Sequence, residues 1–274
     1  MKKKIRLLFG VVFITALLAG AGMIVRQQMD YQKGRKDYEE AVAIMRQTAA
    51  PKEQEGPKAE VDLEEAPLPS EPEPETAEDL QLEAMKQLDW KALQQINPDV
   101  IGWIRIPDTS VDYPILQTEN NSYYLDKTWK KEKSTVGSIF MECQNRADLS
   151  QFNTLLYGHN MRDGSMFSIL KEYQKQEFLD QHPSIYVAVD DKVCRYDIYA
   201  VYEAVVWDLT YGLEIDDPED REAFIQLGME KNVVQTTIIP AVEDEVLTLS
   251  TCTGRGDAAA GKRWVVQAVL HQEP

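Results

Sequence analysis

The sequence predicts a mostly β domain with peripheral helices, folded as an eight-stranded closed or nearly closed barrel. Residues 99–270 contain eight short runs rich in Val, Ile, Leu, Tyr and Trp, separated by turn-forming residues. Helical patterns interrupt these runs at only two places. Eight strands in an open sheet would leave exposed edges, and closing the sheet removes them. Because 43% of the chain is hydrophobic, a domain of this size can bury a substantial core.

The N-terminus predicts a cytoplasmic tip and a transmembrane signal anchor over residues 1–26. Three lysines at positions 2–4 precede a run from Leu7 to Val25 that contains no charged residue, which is about the length that crosses a bilayer as a helix. The lysines are expected to stay in the cytoplasm, which places the rest of the chain outside the cell. The small residues of "LAGAG" leave a cleaved signal peptide as the alternative, although the apolar cores of such peptides are usually shorter.

The next two segments are predicted to connect this anchor to the folded domain. Residues 27–50 have a helical composition and are interpreted as a juxtamembrane helical segment. Residues 51–79 are rich in Pro and Glu and have almost no aliphatic periodicity, so they are expected to form an extended, acidic linker. The folded domain is then expected to cover residues 80–274.

Within the domain, the sequence predicts a first helix over residues 80–96, because apolar residues recur there at helical spacing until "NP" stops the pattern. The predicted strands are "DVIGWIRIP", "VDYPILQ", "GSIFM", "FNTLLYG", "SIYVAV", "VCRYDIYAVYEA", "EVLTLSTC" and "RWVVQAVL". The helical insertions are "GSMFSILKEYQKQEFLDQ" after the fourth strand and "DPEDREAFIQLGMEKN" between the sixth and the seventh.

The net charge and the number of cysteines limit the range of possible functions. The net charge is −17, and residues 51–80 carry eleven acidic against two basic side chains. An acidic chain repels a phosphate backbone, so a nucleic-acid partner is not expected. The chain has three cysteines, Cys143, Cys194 and Cys252, which cannot all pair within one molecule. At least one thiol therefore has no intrachain partner in an oxidising compartment.

Cys252 is the first candidate for chemistry. It ends the seventh predicted strand, where alternation places it on one face with Val246, Thr248 and Ser250, while Leu247 and Leu249 face the other way. A free cysteine at such a position is either a small buried hydrophobe or a nucleophile, and its position alone does not decide between the two.

The position of Arg263 favours the interpretation of Cys252 as a nucleophile. It opens the eighth strand, and a loop of ten residues joins it to the seventh strand, so the two strands are expected to be antiparallel neighbours. Cys252 and Arg263 are then expected at the same edge of the sheet, where a permanently charged guanidinium can favour a thiolate or stabilise an oxyanion. Arg255 and Lys262 are the competing cations.

His159 is the candidate proton-transfer partner. It follows the fourth strand in "YGHNM", in a loop rich in Gly, Asn and Asp, whereas His182 and His271 are interpreted as ordinary surface residues. One thiol and one well-placed imidazole indicate Cys–His nucleophilic catalysis. No metal or other cofactor is expected, since the chain has no CxxC, HxxxH or HExxH motif. The acidic stretch 212–222 could bind calcium, but it is better interpreted as the N-terminus of a helix.

These motifs resemble those of the sortases, the cysteine transpeptidases of Gram-positive cell surfaces. "TLSTC" at the end of one strand, Arg263 at the start of the next and "YGHNM" after an earlier strand occur in the family's order, and the resemblance covers residues 80–271. "INPDVIGWIRIP" and "YGHNMRDGSMF" are most similar to class B. The Asp-Pro-aromatic lid that many class C enzymes carry is not matched by Leu88-Asp89-Trp90, which lacks the proline.

The resemblance implies an activity, partners and a location. Cys252 would attack the carbonyl after the threonine of an LPxTG- or NPxTN-like sorting motif near the C-terminus of a secreted surface protein. His159 would transfer protons, Arg263 would hold the substrate backbone or oxyanion, and an amine of a peptidoglycan precursor would accept the protein. Such an enzyme is a single-pass membrane protein with an extracellular catalytic domain.

Two residues beside Cys252 and the two remaining cysteines are assigned next. Ser250 and Thr251 match the motif residues that precede the cysteine, and they are predicted to contact substrate or to lie near an oxyanion. Cys143 and Cys194 match no motif of the family and are interpreted as structural, and a disulfide between them is left open. Two other functions also stay open at this point: a cysteine peptidase that only hydrolyses such peptides, and an anchored barrel that binds a peptide without cleaving it.

Overall fold

The computed structural model describes residues 2–48, 77–252 and 261–271. Most of the predicted acidic linker, at 51–76, lies outside the described residues, as does Arg255 in the loop at 253–260. The helices are α1 Lys2–Thr48, α2 Ala77–Lys86, α3 Lys91–Gln94, α4 Gln176–Gln181 and α5 Pro218–Lys231. The strands are β1 Val100–Arg105, β2 Asp112–Leu116, β3 Ile139–Met141, β4 Asn153–Tyr157, β5 Ser184–Val189, β6 Lys192–Val205, β7 Val246–Cys252 and β8 Lys262–Leu270. Three 3₁₀ helices cover Tyr123–Asp126, Phe167–Gln174 and Leu209–Tyr211.

The eight strands form a closed barrel in the order β1-β2-β3-β4-β7-β8-β6-β5, and the pairing of β1 with β5 closes it. This confirms the predicted barrel, and each predicted strand coincides with an observed one. Most neighbours are antiparallel, but β2–β3 and β4–β7 are parallel. Since parallel neighbours end at the same edge, β4 and β7 deliver the residues that follow them to one rim of the barrel.

Strand β7 is buried on both faces. Leu247 and Leu249 belong to the larger buried apolar cluster, whereas Val246 belongs to a second cluster with Phe224 of α5. Phe152, just before β4, meets Phe224 edge to face with ring centroids 5.3 Å apart. The alternation predicted for β7 is therefore present, and the insertion that carries α5 covers the face that Val246 shares with Thr248 and Ser250.

Two predicted helices are interrupted. The helix expected over residues 80–96 is divided into α2 and α3 by a turn at 87–90. Met85 and Trp90 are both buried, yet a straight α-helix would place them about 140° apart, so the chain bends to bury both side chains. The insertion after β4 begins as the 3₁₀ helix Phe167–Gln174 and becomes α-helical only in α4.

Helix α1 packs against the barrel. Gly34, Tyr38, Ala41 and Met45 are buried along one stripe of the helix, at the spacing of an amphipathic face. A side chain at position 34 would come within 2.7 Å of Val136, so the glycine permits a close approach. The segment predicted to be juxtamembrane is thus helical as far as Thr48 and contributes to the domain core, which the sequence reasoning did not anticipate.

The side chains of residues 1–12, which include part of the anchor predicted from Leu7–Val25, lie outside the described residues, so this anchor stays a prediction. Among the residues whose side chains the structure describes, no helix is long and apolar enough to span a bilayer.

Two aspartates of α1 face the barrel, and their pKa values are shifted in opposite directions. Asp37 is 8% exposed, and its Oδ2 has no hydrogen-bond partner among the described residues. Burial, together with the nearby Glu132, raises the pKa of Asp37. Asp30 instead accepts hydrogen bonds from the backbone N–H of Thr135 at 2.9 Å and from its hydroxyl at 2.5 Å. Partial burial opposes ionisation of Asp30, but these bonds outweigh it and lower the pKa of that carboxyl.

We expect Asp37→Asn to raise the midpoint of thermal unfolding at pH 7 by about 2–4 °C, the shift that about 1 kcal/mol produces in a domain of this size. A raised folded-state pKa means that the contribution of Asp37 to stability is fully present below its unfolded pKa and is lost as the pH rises through the folded value. The gain from the asparagine should therefore shrink toward pH 4.

Asp30→Asn is the matched control, because its folded pKa is lowered. Its contribution is present above the unfolded pKa and is lost as the pH falls, so this variant should lower the midpoint at pH 7. Equal effects of the two substitutions at pH 7, measured by calorimetry, would contradict the assignment.

Candidate active site

The end of β7 and the start of β8 lie side by side. In the antiparallel pairing of these strands, Cys252 is directly opposite Arg263, and Ser250 is opposite Val265. The structure therefore confirms that β7 and β8 are neighbours and places Cys252 and Arg263 at one edge of the barrel.

His159 reaches the same edge from the other side of β7. The parallel pairing of β4 with β7 places Tyr157 opposite Ser250, and the N–H of Gly158 continues it by donating to the carbonyl of Ser250 at 3.2 Å. His159 follows Tyr157 by two residues, just as Cys252 follows Ser250 by two. Cys252 ends β7, Arg263 lies at the start of β8, and His159 lies in the loop just after β4, so the ends of three adjacent strands bring the three predicted residues to one rim.

The imidazole of His159 is held through one ring nitrogen. Its Nε2 lies 2.6 Å from the carbonyl oxygen of Leu125. A carbonyl only accepts hydrogen bonds, so this contact requires the proton on Nε2 and leaves Nδ1 to exchange a proton. The backbone is also held, because the N–H of Phe167 donates to the carbonyl of His159 at 3.0 Å.

Gly137 forms a wall beside this imidazole. It adopts a positive φ of 64°, which favours glycine, and a Cβ atom there would lie 2.7 Å from Cδ2 and 3.0 Å from Nε2 of His159. It would also lie 2.9 Å from the carbonyl of Leu125, which accepts the Nε2 bond. The absence of a side chain at position 137 therefore makes room for the ring.

The cations near the rim differ in their partners. Arg263 is partly buried, and its Nη1 donates to the carbonyl of Lys262 at 2.8 Å. The ammonium group of Lys262 forms an ion pair with Glu203 of β6 at 2.8 Å. Of the two basic residues that open β8, Lys262 is thus engaged with a carboxylate, and Arg263 is the residue opposite Cys252.

Ser250 and Thr251 are both buried. The hydroxyl of Ser250 lies 2.9 Å from the hydroxyl of Tyr211, which ties β7 to the 3₁₀ helix that precedes α5. Thr251 is 2% exposed, and its Oγ1 has no hydrogen-bond partner among the described residues. Ser250 thus has a structural contact that the sequence did not reveal, and the substrate contacts predicted for both residues stay predictions.

The other histidines have structural partners. Nδ1 of His182 lies 3.0 Å from the carbonyl of Pro107, and Nδ1 of His271 lies 2.6 Å from Asp197. Neither follows β4 or β7 at the rim, so neither competes with His159 for the role of proton-transfer partner.

The other cysteines are free thiols, so the disulfide that the sequence left open is not formed. Burial raises the pKa of Cys194. Burial also raises the pKa of Cys143, as does a 3.2 Å contact with the carboxylate of Glu142. Both environments disfavour the thiolate that a nucleophilic cysteine needs.

Metal ligands do not cluster in the described part of the chain. It contains no group of three or more His, Cys, Asp and Glu side chains that could hold an ion. In the acidic stretch 212–222, Asp217 caps α5 by accepting from the N–H of Glu219 at 3.0 Å. This is the helix N-terminus that the sequence favoured for the stretch.

A barrel that brings a cysteine, a histidine and an arginine to one rim has the components of an enzyme that transfers acyl groups through a cysteine. The Sortase domain family matches residues 104–271 of the chain. Sortase B of Listeria monocytogenes is 40% identical over 182 residues, which are 65% of this chain and 72% of the relative. Sortase B of Staphylococcus aureus is 33% identical over 165 residues, 60% of this chain and 67% of the relative.

Solved structures agree. Sortase B of B. anthracis in complex with AAEK1 superimposes with a TM-score of 0.68 at 30% identity, covering 89% of this chain and 99% of that one. A Staphylococcus aureus sortase B–substrate complex has a TM-score of 0.63 at 30% identity, covering 69% and 87%. The chain belongs to the sortase family of cysteine transpeptidases. Within that family it is most similar to the class B enzymes.

The sequence reasoning missed the groups that surround the histidine. Gly137 gave a weak signal, since a glycine at the first position of a predicted strand is compatible with an ordinary turn. The carbonyl of Leu125 gave none, because a backbone acceptor has no residue signature. Tyr38, which contacts Gly137 from α1, lies 99 residues earlier in the chain.

We expect Gly137→Ala to displace the imidazole of His159 and to lower kcat/KM by about 10-fold or more, because the new methyl group overlaps the ring. Gly164→Ala is the matched control: Gly164 has a φ of 85° with no atom within 4 Å of a Cβ. Both substitutions force alanine into left-handed backbone at about 1–2 kcal/mol, but only the first meets the histidine. Equal loss of activity in the two folded variants would show that backbone strain, rather than the imidazole, is responsible.

Proposed function

We propose that the chain is a transpeptidase that joins secreted surface proteins to the peptidoglycan precursor. The observation that carries this proposal is the register around β7, which pairs Cys252 with Arg263 and brings the end of β4, two residues before His159, beside Ser250. The substrate is a polypeptide with an LPxTG- or NPxTN-like sorting motif near its C-terminus. The product is that polypeptide, cut after the threonine and joined to an amine.

The reaction proceeds in two acyl transfers. The thiolate of Cys252 attacks the carbonyl carbon of the threonine, and the C–N bond breaks as His159 protonates the leaving amine. The resulting thioester is then attacked by the acceptor amine, which loses its proton to His159, and the C–S bond breaks to return the thiolate. Because Nε2 of His159 is bonded to the carbonyl of Leu125, Nδ1 carries the transferred proton.

Arg263 stabilises the negative charge of each step. The register places it opposite Cys252, where a guanidinium can donate to the carbonyl oxygen that becomes an oxyanion in both tetrahedral intermediates. Its planar fork also suits a backbone carbonyl of the extended substrate. The partly buried setting of Arg263 strengthens such contacts, because nearby water is reduced.

The ligands of related structures support this choice of substrates. One of the similar structures is a sortase B–substrate complex, and another is a sortase B complexed with triglycine. By analogy with these, we infer that the present enzyme reads a sorting peptide and accepts a glycine-like primary amine. Membership of the sortase family supports a cell-surface location. The uncharged run Leu7–Val25 behind three lysines supports a single-pass anchor with the catalytic domain outside.

The test is to incubate the full-length chain in detergent with a panel of fluorogenic sorting peptides, with and without triglycine. We expect cleavage after threonine, a thioacyl adduct on Cys252 and a triglycine-linked product. Cys252→Ala should abolish the adduct, whereas Cys143→Ala and Cys194→Ala should keep most of the activity, since the surroundings of those two thiols raise their pKa and disfavour the thiolate.

The other possible results of this assay would indicate different functions. Cleavage that yields only hydrolysed product, even at high triglycine concentration, would indicate a peptidase. Peptide binding without turnover or adduct would indicate a binding module. Comparable loss of activity in all three folded cysteine variants would contradict the assignment of Cys252.

For Arg263→Lys we expect kcat/KM to fall by about 10²–10³, the effect of losing one well-aimed oxyanion donor. Lysine keeps the charge but lacks the planar fork. Alkylation of Cys252 by a small reagent should change little. Lys262→Met is the matched control: it removes the adjacent cation, which is paired with Glu203, and should stay near wild-type activity. A marked fall in thiol alkylation in Arg263→Lys would show that Arg263 sets the thiolate population instead.

A further inference from the structure

The two groups that contact the imidazole of His159 belong to one stretch of chain. Leu125 supplies the carbonyl that accepts the Nε2–H, and Gly137 supplies the wall beside Cδ2. They are joined internally, since the carbonyl of Tyr124 accepts from the N–H of Ser138 at 3.0 Å. The position of the 124–138 segment therefore determines where the ring can lie.

Helix α1 holds this segment from outside the barrel. The hydroxyl of Tyr38 donates to the carbonyl of Gly137 at 2.6 Å and lies 2.9 Å from Oγ of Ser138. Further along, Nε1 of Trp129 donates to the carbonyl of Asp37 at 2.6 Å. The segment is thus fastened to α1 both at Gly137 and at Trp129, which precedes that glycine in the chain.

Tyr38 itself is packed into the core. It is 5% exposed, and its ring meets Tyr113 of β2 edge to face at 5.2 Å. The hydroxyl of Tyr113 in turn accepts from the N–H of Met166 at 3.2 Å, and Phe167, the next residue, donates to the carbonyl of His159. Tyr38 thus bonds to Gly137 beside the imidazole, and Tyr113 bonds to Met166, the neighbour of the residue that holds the backbone of His159.

We propose that Tyr38 is a positioning residue for His159: by fixing the carbonyl of Gly137, its hydroxyl sets the imidazole for proton transfer. Helix α1 is then part of the catalytic apparatus, although it contributes no group to the reaction. This inference rests on the proposed role of His159. The expected signature is a defect in proton transfer with little change in substrate binding.

The test compares Tyr38→Phe with Tyr31→Phe in the full-length chain. The first removes the hydroxyl and keeps the ring against Tyr113. The second removes a hydroxyl on the same helix, and this hydroxyl accepts a hydrogen bond from the amide of Gln27 at 2.7 Å. We expect Tyr38→Phe to lower kcat about 5- to 20-fold with KM within about 2-fold, and to shift the kcat–pH profile. Tyr31→Phe should match the wild type.

A spectroscopic readout separates positioning from loss of folding. The Nε2–H of His159, bonded to a carbonyl at 2.6 Å, is expected to give a downfield proton resonance, identified by its loss in His159→Ala. This resonance should shift or broaden in Tyr38→Phe while circular dichroism stays native below the unfolding midpoint. Should Tyr38→Phe unfold, Ser138→Ala keeps the bond to Gly137 and should move the resonance and kcat in the same direction by a smaller amount.

Failure of this inference is distinct from failure of the proposed function. Full activity in His159→Ala would overturn the role of the histidine and with it the proposed function. Loss of activity in His159→Ala together with wild-type kcat, pH profile and resonance in Tyr38→Phe would overturn the positioning role alone. Equal defects in Tyr31→Phe and Tyr38→Phe would likewise overturn it, because they would point to general weakening of α1.

Discussion

Strand β7 is hydrogen-bonded on one side to β4 in parallel and on the other side to β8 in antiparallel, and the site depends on the register of these two pairings. A slip of one residue would turn every side chain of β7 to the opposite face and would move Cys252 away from Arg263. Closure of the barrel makes a slip costly, because β7 has no free edge. The same closure allows residues far apart in the chain to meet at one rim.

A line of buried polar side chains secures this register. The hydroxyl of Thr248 on β7 donates to Oδ1 of Asn153 on β4 at 2.7 Å, and Gln267 on β8 donates to the same hydroxyl at 3.3 Å. The hydroxyl of Tyr199 on β6 donates to Oε1 of Gln267 at 2.9 Å. These four residues come from four adjacent strands and are fully buried. Any shift of one strand would leave buried polar groups without partners, at about 1–3 kcal/mol each, so the network favours a single alignment.

The sequence predicted the strands well because alternation and β-branched runs are local signals. It also suggested the three candidate residues, because Cys252 ends such a run, Arg263 opens one and His159 follows one. The parallel pairing of β4 with β7 had no local signal. The packing of α1 had only a weak local signal, the stripe from Gly34 to Met45. The composition of this segment had led to its interpretation as a juxtamembrane helix. The break between Lys86 and Lys91 was missed because it arises from the burial of Trp90 in a core that forms from distant strands. Backbone groups such as the carbonyl of Leu125 leave no trace in sequence at all.

Helix α1 and the histidine loop are linked through contacts that span about a hundred residues, so they are coupled in free energy as well as in space. The carbonyl of Gly137 is buried against Tyr38, and separating the two would leave it without that partner. Any influence that draws α1 away from the barrel must therefore loosen the wall beside His159, and any ligand that tightens the imidazole must by reciprocity favour the docked helix. A helix that the sequence suggested was only a connection is thereby bonded, through one tyrosine hydroxyl and one glycine, to the wall beside the histidine.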